Sequence, residues 1–134
     1  MPESPGRRRA RWLLAALLTA TGLVHVVWPT PFERLVPRWL PGSAVAWNRA
    51  ATAAELGSAV LLASRRTARA GGIAAFATFA VVWVANLQAA LDGGYRAFSG
   101  WLGSEAVAWV RVPLQVPLLW WAAVVASRPE EPET

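Results

Sequence analysis

The heptapeptide RVPLQVP, residues 111–117, lies inside an otherwise apolar run that extends over residues 106–126. A helix that crosses a bilayer needs about 20 predominantly apolar residues, and this run is long enough. An arginine, a glutamine and two prolines are costly in hydrocarbon, so we expect other parts of the chain to satisfy their polar groups. The stretch therefore predicts a membrane helix with one face against neighbouring helices.

Three further apolar runs precede this one, and together they predict an all-α fold. We expect an integral membrane four-helix bundle with up-down topology, in which the helices cover about residues 11–28, 44–64, 69–91 and 104–127. The second run is the weakest by hydropathy because it contains Asn48, Arg49 and Glu55, but its small residues suit close packing against other helices. It is therefore expected to be central in the bundle.

The segments outside these runs have their own signatures. Residues 1–10 are predicted to be a disordered basic tail, and residues 128–134 an acidic tail. The proline-rich connection of residues 28–43 predicts either a short helix lying in the membrane interface or an ordered loop. Small residues at 19–22 leave a cleaved signal peptide as an alternative for the first run, although apolar residues continue to Val27 and favour a retained helix.

Composition excludes several classes of function. The 134 residues are 55% hydrophobic and include no cysteine, which excludes disulfide exchange, a thiolate nucleophile and cysteine-ligated metal sites. The single histidine makes a histidine-rich metal site improbable, so no metal is predicted. All 13 basic residues are arginines, and most of them flank apolar runs. Their bias predicts an inner-membrane protein with both termini in the cytoplasm, and it explains the positive charge without nucleic acid.

Five polar residues are expected at a similar depth, between one membrane surface and the bilayer centre. They come from all four predicted helices: His25, Glu55, Asn86, Arg111 and Gln115. Because a lone charge is costly in hydrocarbon, we expect Arg111 and Glu55 to face inward and form an ion pair. Pro113 and Pro117 remove two backbone donors, so a bend is expected in the last helix.

Each of these residues also has a purely structural interpretation. Asn86 and Gln115 are common hydrogen-bonding links between membrane helices, and His25 can bond a backbone carbonyl. Glu55 is either a counter-ion to Arg111 or a carboxylate that exchanges protons. The two prolines can shape helix packing without creating a cavity.

The order of these signals resembles the DoxX-like family of small four-helix membrane proteins. The resemblance covers roughly residues 22–121 and is most specific over residues 111–115. It is carried by a histidine closing the first helix, a proline-rich connection, a glutamate in the second helix, an asparagine late in the third and an arginine–proline–leucine–glutamine signature: His25, Pro29, Phe32, Val36, Pro37, Leu40, Pro41, Glu55, Leu56, Asn86, Arg111, Pro113, Leu114 and Gln115. Thr52 stands where members often have glycine.

This resemblance implies a location and a set of partners more than a reaction. The family is named after a small subunit of a thiosulfate and quinone oxidoreductase, and related members are partners in membrane-associated oxidoreductase complexes. We therefore expect a membrane subunit of such a complex, or a protein that binds quinone or another small apolar molecule at the polar layer. The alternatives are a proton-coupled transporter that uses Glu55 and a structural anchor for a partner protein. The chain has no self-sufficient catalytic apparatus, and a homo-oligomer is compatible with each hypothesis.

Overall fold

The chain is helical over most of its length, and the computed structural model describes residues 3–127. The helices in chain order are α1 (Pro5–Val27), α2 (Pro29–Glu33), α3 (Ala44–Ala63), α4 (Ala68–Leu91), a 3-10 helix (Gly100–Gly103) and α5 (Glu105–Ala126). No β-strand occurs in the described part of the chain, so the predicted all-α class is confirmed. The predicted acidic tail, residues 128–134, lies outside the described residues.

Three of the four long helices are long and apolar enough to cross a membrane: α1, α4 and α5. The fourth, α3, has 20 residues but does not reach the same apolar character, as its polar residues predict. The connection of residues 28–43 contains the short helix α2, which packs against α1 and α3.

The first helix begins earlier than the sequence predicted. Residues 5–10 were expected in a disordered tail, but α1 starts at Pro5. The Ser4 side chain accepts a hydrogen bond from the Arg7 backbone N–H at 3.3 Å, and a proline in the first turn lacks only a donor that would have no helical partner. Arg11 also holds the residues before α1 in place, because its guanidinium donates to both carboxylate oxygens of Glu3 at 3.0 Å.

Each of the four long helices packs antiparallel to the two helices that it contacts. Helix α1 contacts α3 and α5, and α4 contacts the same two helices. The direction follows from contacts near their ends: the Trp121 indole in α5 donates to the Ala10 carbonyl in α1, and the Arg11 guanidinium in α1 donates to the Leu62 carbonyl in α3. In this arrangement α3 and α5 are diagonally opposite each other, as are α1 and α4.

Close contact at one helix crossing depends on a glycine. A Cβ added to Gly72 in α4 would lie 2.7 Å from the backbone nitrogen of Ala126 in α5. The two backbones therefore approach more closely than any side chain would permit.

The two ends of the helices differ in what they carry. We call the end with the start of α1, the last residues of α5 and residues 64–67 the terminal end, and the end with residues 28–43 and 92–104 the loop end. A large apolar core that includes Leu14, Leu18, Leu62 and Phe79 fills the space toward the terminal end. A smaller core around Ala90, Tyr95 and Ala108 lies at the loop end, and Asn86 and Arg111 contact its Tyr95.

Candidate functional site

The structure divides the five predicted site residues among three places. His25 and Glu55 lie together with Asn48, and we call these three residues the histidine cluster. Asn86 and Arg111 each contact Tyr95, in a second cluster. Gln115 contacts neither group and bonds to the backbone of α4. The expected single layer is therefore a set of separate polar contacts.

In the histidine cluster, the imidazole of His25 is held from two sides. Its Nδ1 lies 2.7 Å from the Asn48 Oδ1, and the Asn48 Nδ2 donates to the His25 carbonyl at 3.4 Å. Since the amide oxygen can only accept, Nδ1 carries a proton. The ring is also stacked on Phe32 of α2, with the two ring centroids 3.7 Å apart.

The other ring nitrogen of His25 faces a carboxylate. The His25 Nε2 lies 3.9 Å from the Glu55 Oε1. With Nδ1 protonated, a neutral imidazole presents a lone pair at Nε2, so it would oppose an ionised carboxylate. The repulsion is removed when either the His25 Nε2 or the Glu55 carboxylate carries an additional proton. The pair is thus built to hold a proton at Nε2 or on the carboxylate.

Helix direction and a glycine explain why these side chains meet. Helical side chains tilt toward the N-terminus of their helix, so His25 in α1 and Glu55 in the antiparallel α3 lean toward each other. Gly22 lies one turn before His25, and a Cβ added to it would be 2.7 Å from the Leu56 side chain. The absence of a side chain at Gly22 brings α1 and α3 close enough for the contact.

The second carboxylate oxygen of Glu55 has no partner. Glu55 is 5% exposed, and among residues 3–127 no group donates a hydrogen bond to its Oε2. A buried polar atom without a partner costs about 1–3 kcal/mol, so its presence calls for an explanation. Either a proton or a bound hydrogen-bonding group satisfies it.

The predicted ion pair between Arg111 and Glu55 does not form in the described chain, and this prediction was wrong. Arg111 is exposed, and its guanidinium carbon lies 5.0 Å from the centroid of the Tyr95 ring. Two physical reasons account for the difference. Glu55 is on α3, which is diagonally opposite α5. The Arg111 side chain tilts toward the loop end, where it reaches a more polar level.

The second cluster is organised by Tyr95, which the sequence did not single out. Tyr95 is 2% exposed, and its hydroxyl donates to the Asn86 Oδ1 at 2.8 Å. Phe98 packs edge-on against the Tyr95 ring, with the centroids 6.3 Å apart. Burial raises the pKa of the Tyr95 phenol, while the positive charge of Arg111 opposes that rise. The phenol therefore stays protonated and donates to Asn86, which acts as a structural acceptor.

Gln115 also has a structural role. Its Nε2 donates to the carbonyl of Phe79 at 3.0 Å, which joins α5 to α4 in the buried region. Pro113 and Pro117 lie within α5, which continues from Glu105 to Ala126. The Trp83 indole of α4 donates to the Val112 carbonyl at 2.9 Å, beside the first proline. The bend that the prolines imply stays a prediction.

Sequence analysis missed Asn48 and Tyr95 as site residues. Asn48 and Glu55 are separated by seven positions, which places both on one face of α3 two turns apart. That spacing was a usable signal. Tyr95 lies in a connection with no periodic pattern, so no comparable signal exists for it. Within residues 3–127, no group of three histidine or acidic side chains is arranged to hold a metal ion.

Comparison with known families gives one match. Residues 14–126 match a family described as a domain of unknown function, DUF8561. No curated protein and no solved structure matches the chain. The matched region includes the histidine cluster, the Tyr95 cluster and all four long helices except the first nine residues of α1.

Proposed function

We propose that this chain, which belongs to the DUF8561 family, is a four-helix inner-membrane protein of the DoxX-like type that binds quinone or another small apolar molecule at the histidine cluster. In this proposal it acts as the membrane subunit of an oxidoreductase-type complex. The chain has no self-sufficient catalytic apparatus, so a partner protein supplies the redox chemistry.

The packing of α3 supports four spans. Helix α3 contacts both α1 and α4, which are apolar enough to cross a membrane. Its polar residues Asn48 and Glu55 are buried in that packing, so it exposes less polar surface than its composition suggests. With four spans, the arginine bias toward the terminal end supports the proposal that both termini are in the cytoplasm.

The observation that carries the binding proposal is the unpartnered Oε2 of Glu55 beside the His25 imidazole. A quinone presents carbonyl acceptors and its reduced form presents hydroxyl donors. When His25 and Glu55 share one proton, the protonated group can donate a hydrogen bond to a quinone carbonyl. The unprotonated group can accept one from a hydroxyl of the reduced quinone. A bound quinone would supply two-electron chemistry, and His25 with Glu55 would hold or release a proton next to it.

Fewer residues are available to bind the quinone than the sequence indicated. The Gln115 Nε2 is taken by the Phe79 carbonyl, and Arg111 lies over Tyr95. The proposed binding group is therefore His25, Asn48 and Glu55.

A quinone titration tests this proposal. The full chain is placed in lipid nanodiscs and titrated with a short-chain ubiquinone analogue, with quenching of tryptophan fluorescence as the readout. We expect saturable binding that Glu55→Leu weakens at least about tenfold, because the substitution removes a charge-assisted hydrogen bond worth about 1.5–3 kcal/mol. Gln115→Leu is the matched control and should bind normally. Equal affinity in the wild type and Glu55→Leu, with helix content unchanged, would exclude the site.

The same buried carboxylate favours a second candidate, a small proton-coupled transporter. Glu55 has no arginine partner in the described chain, so protonation is the simplest way to neutralise it. Uptake of candidate substrates into vesicles with an imposed pH gradient tests this function. Glu55→Gln should abolish gradient-driven uptake in a transporter, whereas a quinone-binding subunit shows no uptake in either form.

A further inference from the structure

A groove at the loop end is separate from the histidine cluster. It has a volume of about 810 Å³ and lies between the connection after α2 and the C-terminal end of α4. Small-molecule sites in proteins commonly have volumes of about 300–1,000 Å³. Leu35, Val36, Leu40 and Ala89 contribute apolar lining to the groove.

Three arginines also line the groove: Arg34, Arg38 and Arg96. All three are exposed, and within residues 3–127 their guanidinium groups form no hydrogen bond or ion pair. Two carboxylates, Glu33 and Asp92, line the same groove, and Asp92 already accepts a hydrogen bond from the Gln88 amide at 3.0 Å. Three guanidiniums against two carboxylates give the groove a positive balance with open donors.

Exposed tryptophans place the groove near a membrane surface. Trp28, Trp39 and Trp101 are exposed at the loop end, and Trp12 and Trp120 are exposed toward the terminal end. Tryptophans of this kind favour the two interfaces of a bilayer. The 16 residue steps from Trp12 in α1 to Trp28 at its C-terminal end span about 24 Å, close to the thickness of a hydrocarbon core. Trp39 itself lines the groove, which therefore lies at the level of lipid headgroups.

We propose that this groove binds the headgroup of an anionic phospholipid. The guanidinium groups of Arg34, Arg38 and Arg96 donate to the phosphate, as planar guanidinium forks do in phosphate sites. The apolar lining at Leu35, Val36 and Leu40 accommodates the first carbons of the acyl chains. The lipid is chosen over a soluble phosphate because the groove combines charge with apolar lining at headgroup level.

Native mass spectrometry of the full chain tests this site. The protein in detergent is titrated separately with phosphatidylglycerol, phosphatidylcholine and water-soluble glycerol phosphate. The test variant combines Arg34→Gln, Arg38→Gln and Arg96→Gln. The matched control combines Arg8→Gln, Arg66→Gln and Arg69→Gln, which removes the same charge from exposed residues at the terminal end.

We expect the test variant to lose at least about tenfold in phosphatidylglycerol affinity and the control to lose less than about twofold. Phosphatidylcholine should bind more weakly to the wild type. Equal losses in both variants would mean that only overall charge matters and would overturn the site. Glycerol phosphate binding as tightly as the lipid would overturn the lipid as its ligand. The single variant Arg38→Gln, which changes one exposed side chain, should show a several-fold loss even if the triple variant fails to fold.

Discussion

The imidazole Nε2 of His25 and the carboxylate Oε1 of Glu55 are 3.9 Å apart, while the other imidazole nitrogen is held 2.7 Å from the Asn48 amide oxygen. This arrangement fixes which nitrogen faces the carboxylate. It also couples the two residues, because the favoured protonation state of His25 depends on whether Glu55 is protonated, and the reverse. The helices α1 and α3 are joined at this point by polar contacts in otherwise apolar packing.

Replacement of His25 is expected to destabilise the protein. His25→Phe keeps a ring against Phe32 but removes the donor to Asn48 and leaves Glu55 beside an apolar group. An unsatisfied buried polar group costs about 1–3 kcal/mol, so the free energy of unfolding should fall by that amount. Glu55→Leu should cost less than about 1.5 kcal/mol, because its Oε2 already lacks a partner. Unfolding by denaturing detergent in mixed micelles measures both.

The double variant completes this cycle. In the Glu55→Leu background, His25→Phe should cost at least about 0.5 kcal/mol less than in the wild type, since no carboxylate remains to be left unpaired. Strictly additive effects would show that the two side chains do not interact.

Arg111 is expected to couple to Tyr95 and not to Glu55. A guanidinium over an aromatic ring contributes about 0.5–2 kcal/mol, so Arg111→Gln and Tyr95→Leu should show a coupling energy of that size. Arg111→Gln and Glu55→Leu should be additive within about 0.5 kcal/mol, because the residues lie on helices that do not face each other. The same unfolding assay measures both cycles. A coupling above about 1 kcal/mol between Arg111 and Glu55 would contradict the arrangement of α3 and α5.

The helices are the part of the structure that follows most directly from the sequence. Apolar runs broken by serine caps give α3 and α5 their starts, at Ser43 and Ser104, and each serine side chain accepts a hydrogen bond from the backbone three residues later. The start of α1 was missed because its order depends on Glu3 and Arg11, eight positions apart, and on a carbonyl of α3. Partners so far apart in the chain leave no local signal in the sequence.

The candidate site shows where hydropathy stops being informative. The ends of the apolar runs give an estimate of how deep each residue lies in the bilayer. For His25 and Glu55 these estimates agree, and the two side chains meet in the structure. The partner of each residue also depends on which helices are neighbours. Arg111 was expected at a depth similar to that of Glu55, but α5 packs on α1 and α4, so the predicted partner of Arg111 lies diagonally across the bundle. Asn48 was found only when the face of α3 that meets α1 was known.

The contact between Glu3 and Arg11 makes stability depend on acidic pH. Hydrogen bonds from the Arg11 guanidinium lower the pKa of the Glu3 carboxyl, outweighing the opposing effect of burial. Because the pKa is lower in the folded state, the contact stabilises the protein above the carboxyl's ordinary pKa of 4.5, and this contribution is lost as the pH falls through the lowered value.

Glu3→Gln tests this contribution. The variant should be less stable than the wild type at pH 7, and the difference should shrink as the pH falls below 4.5, as measured by thermal unfolding in a stable detergent. Glu105→Gln is the control, since that exposed carboxylate accepts, among residues 3–127, a hydrogen bond only from the Trp109 indole on its own helix. A stability difference for Glu3→Gln that stays constant down to pH 3 would contradict the assignment.

The number of spans decides the membrane topology, and reporter fusions measure it. If α3 crosses the membrane with its neighbours α1 and α4, the chain crosses four times and both termini lie on the same side. If only the three more apolar helices cross, the termini lie on opposite sides. We expect a reporter that is active only in the cytoplasm to be active after Arg66 and after Thr134, and inactive at Gly42 before α3 and at Gly93 between α4 and α5. The Gly93 fusion is the internal control, because a reporter active at every position would show that the chain is not inserted. The same reporter result at Gly42 and Arg66, which lie on the two sides of α3, would exclude α3 as a span. Activity at Gly42 and Gly93 with none after Arg66 or Thr134 would reverse the orientation.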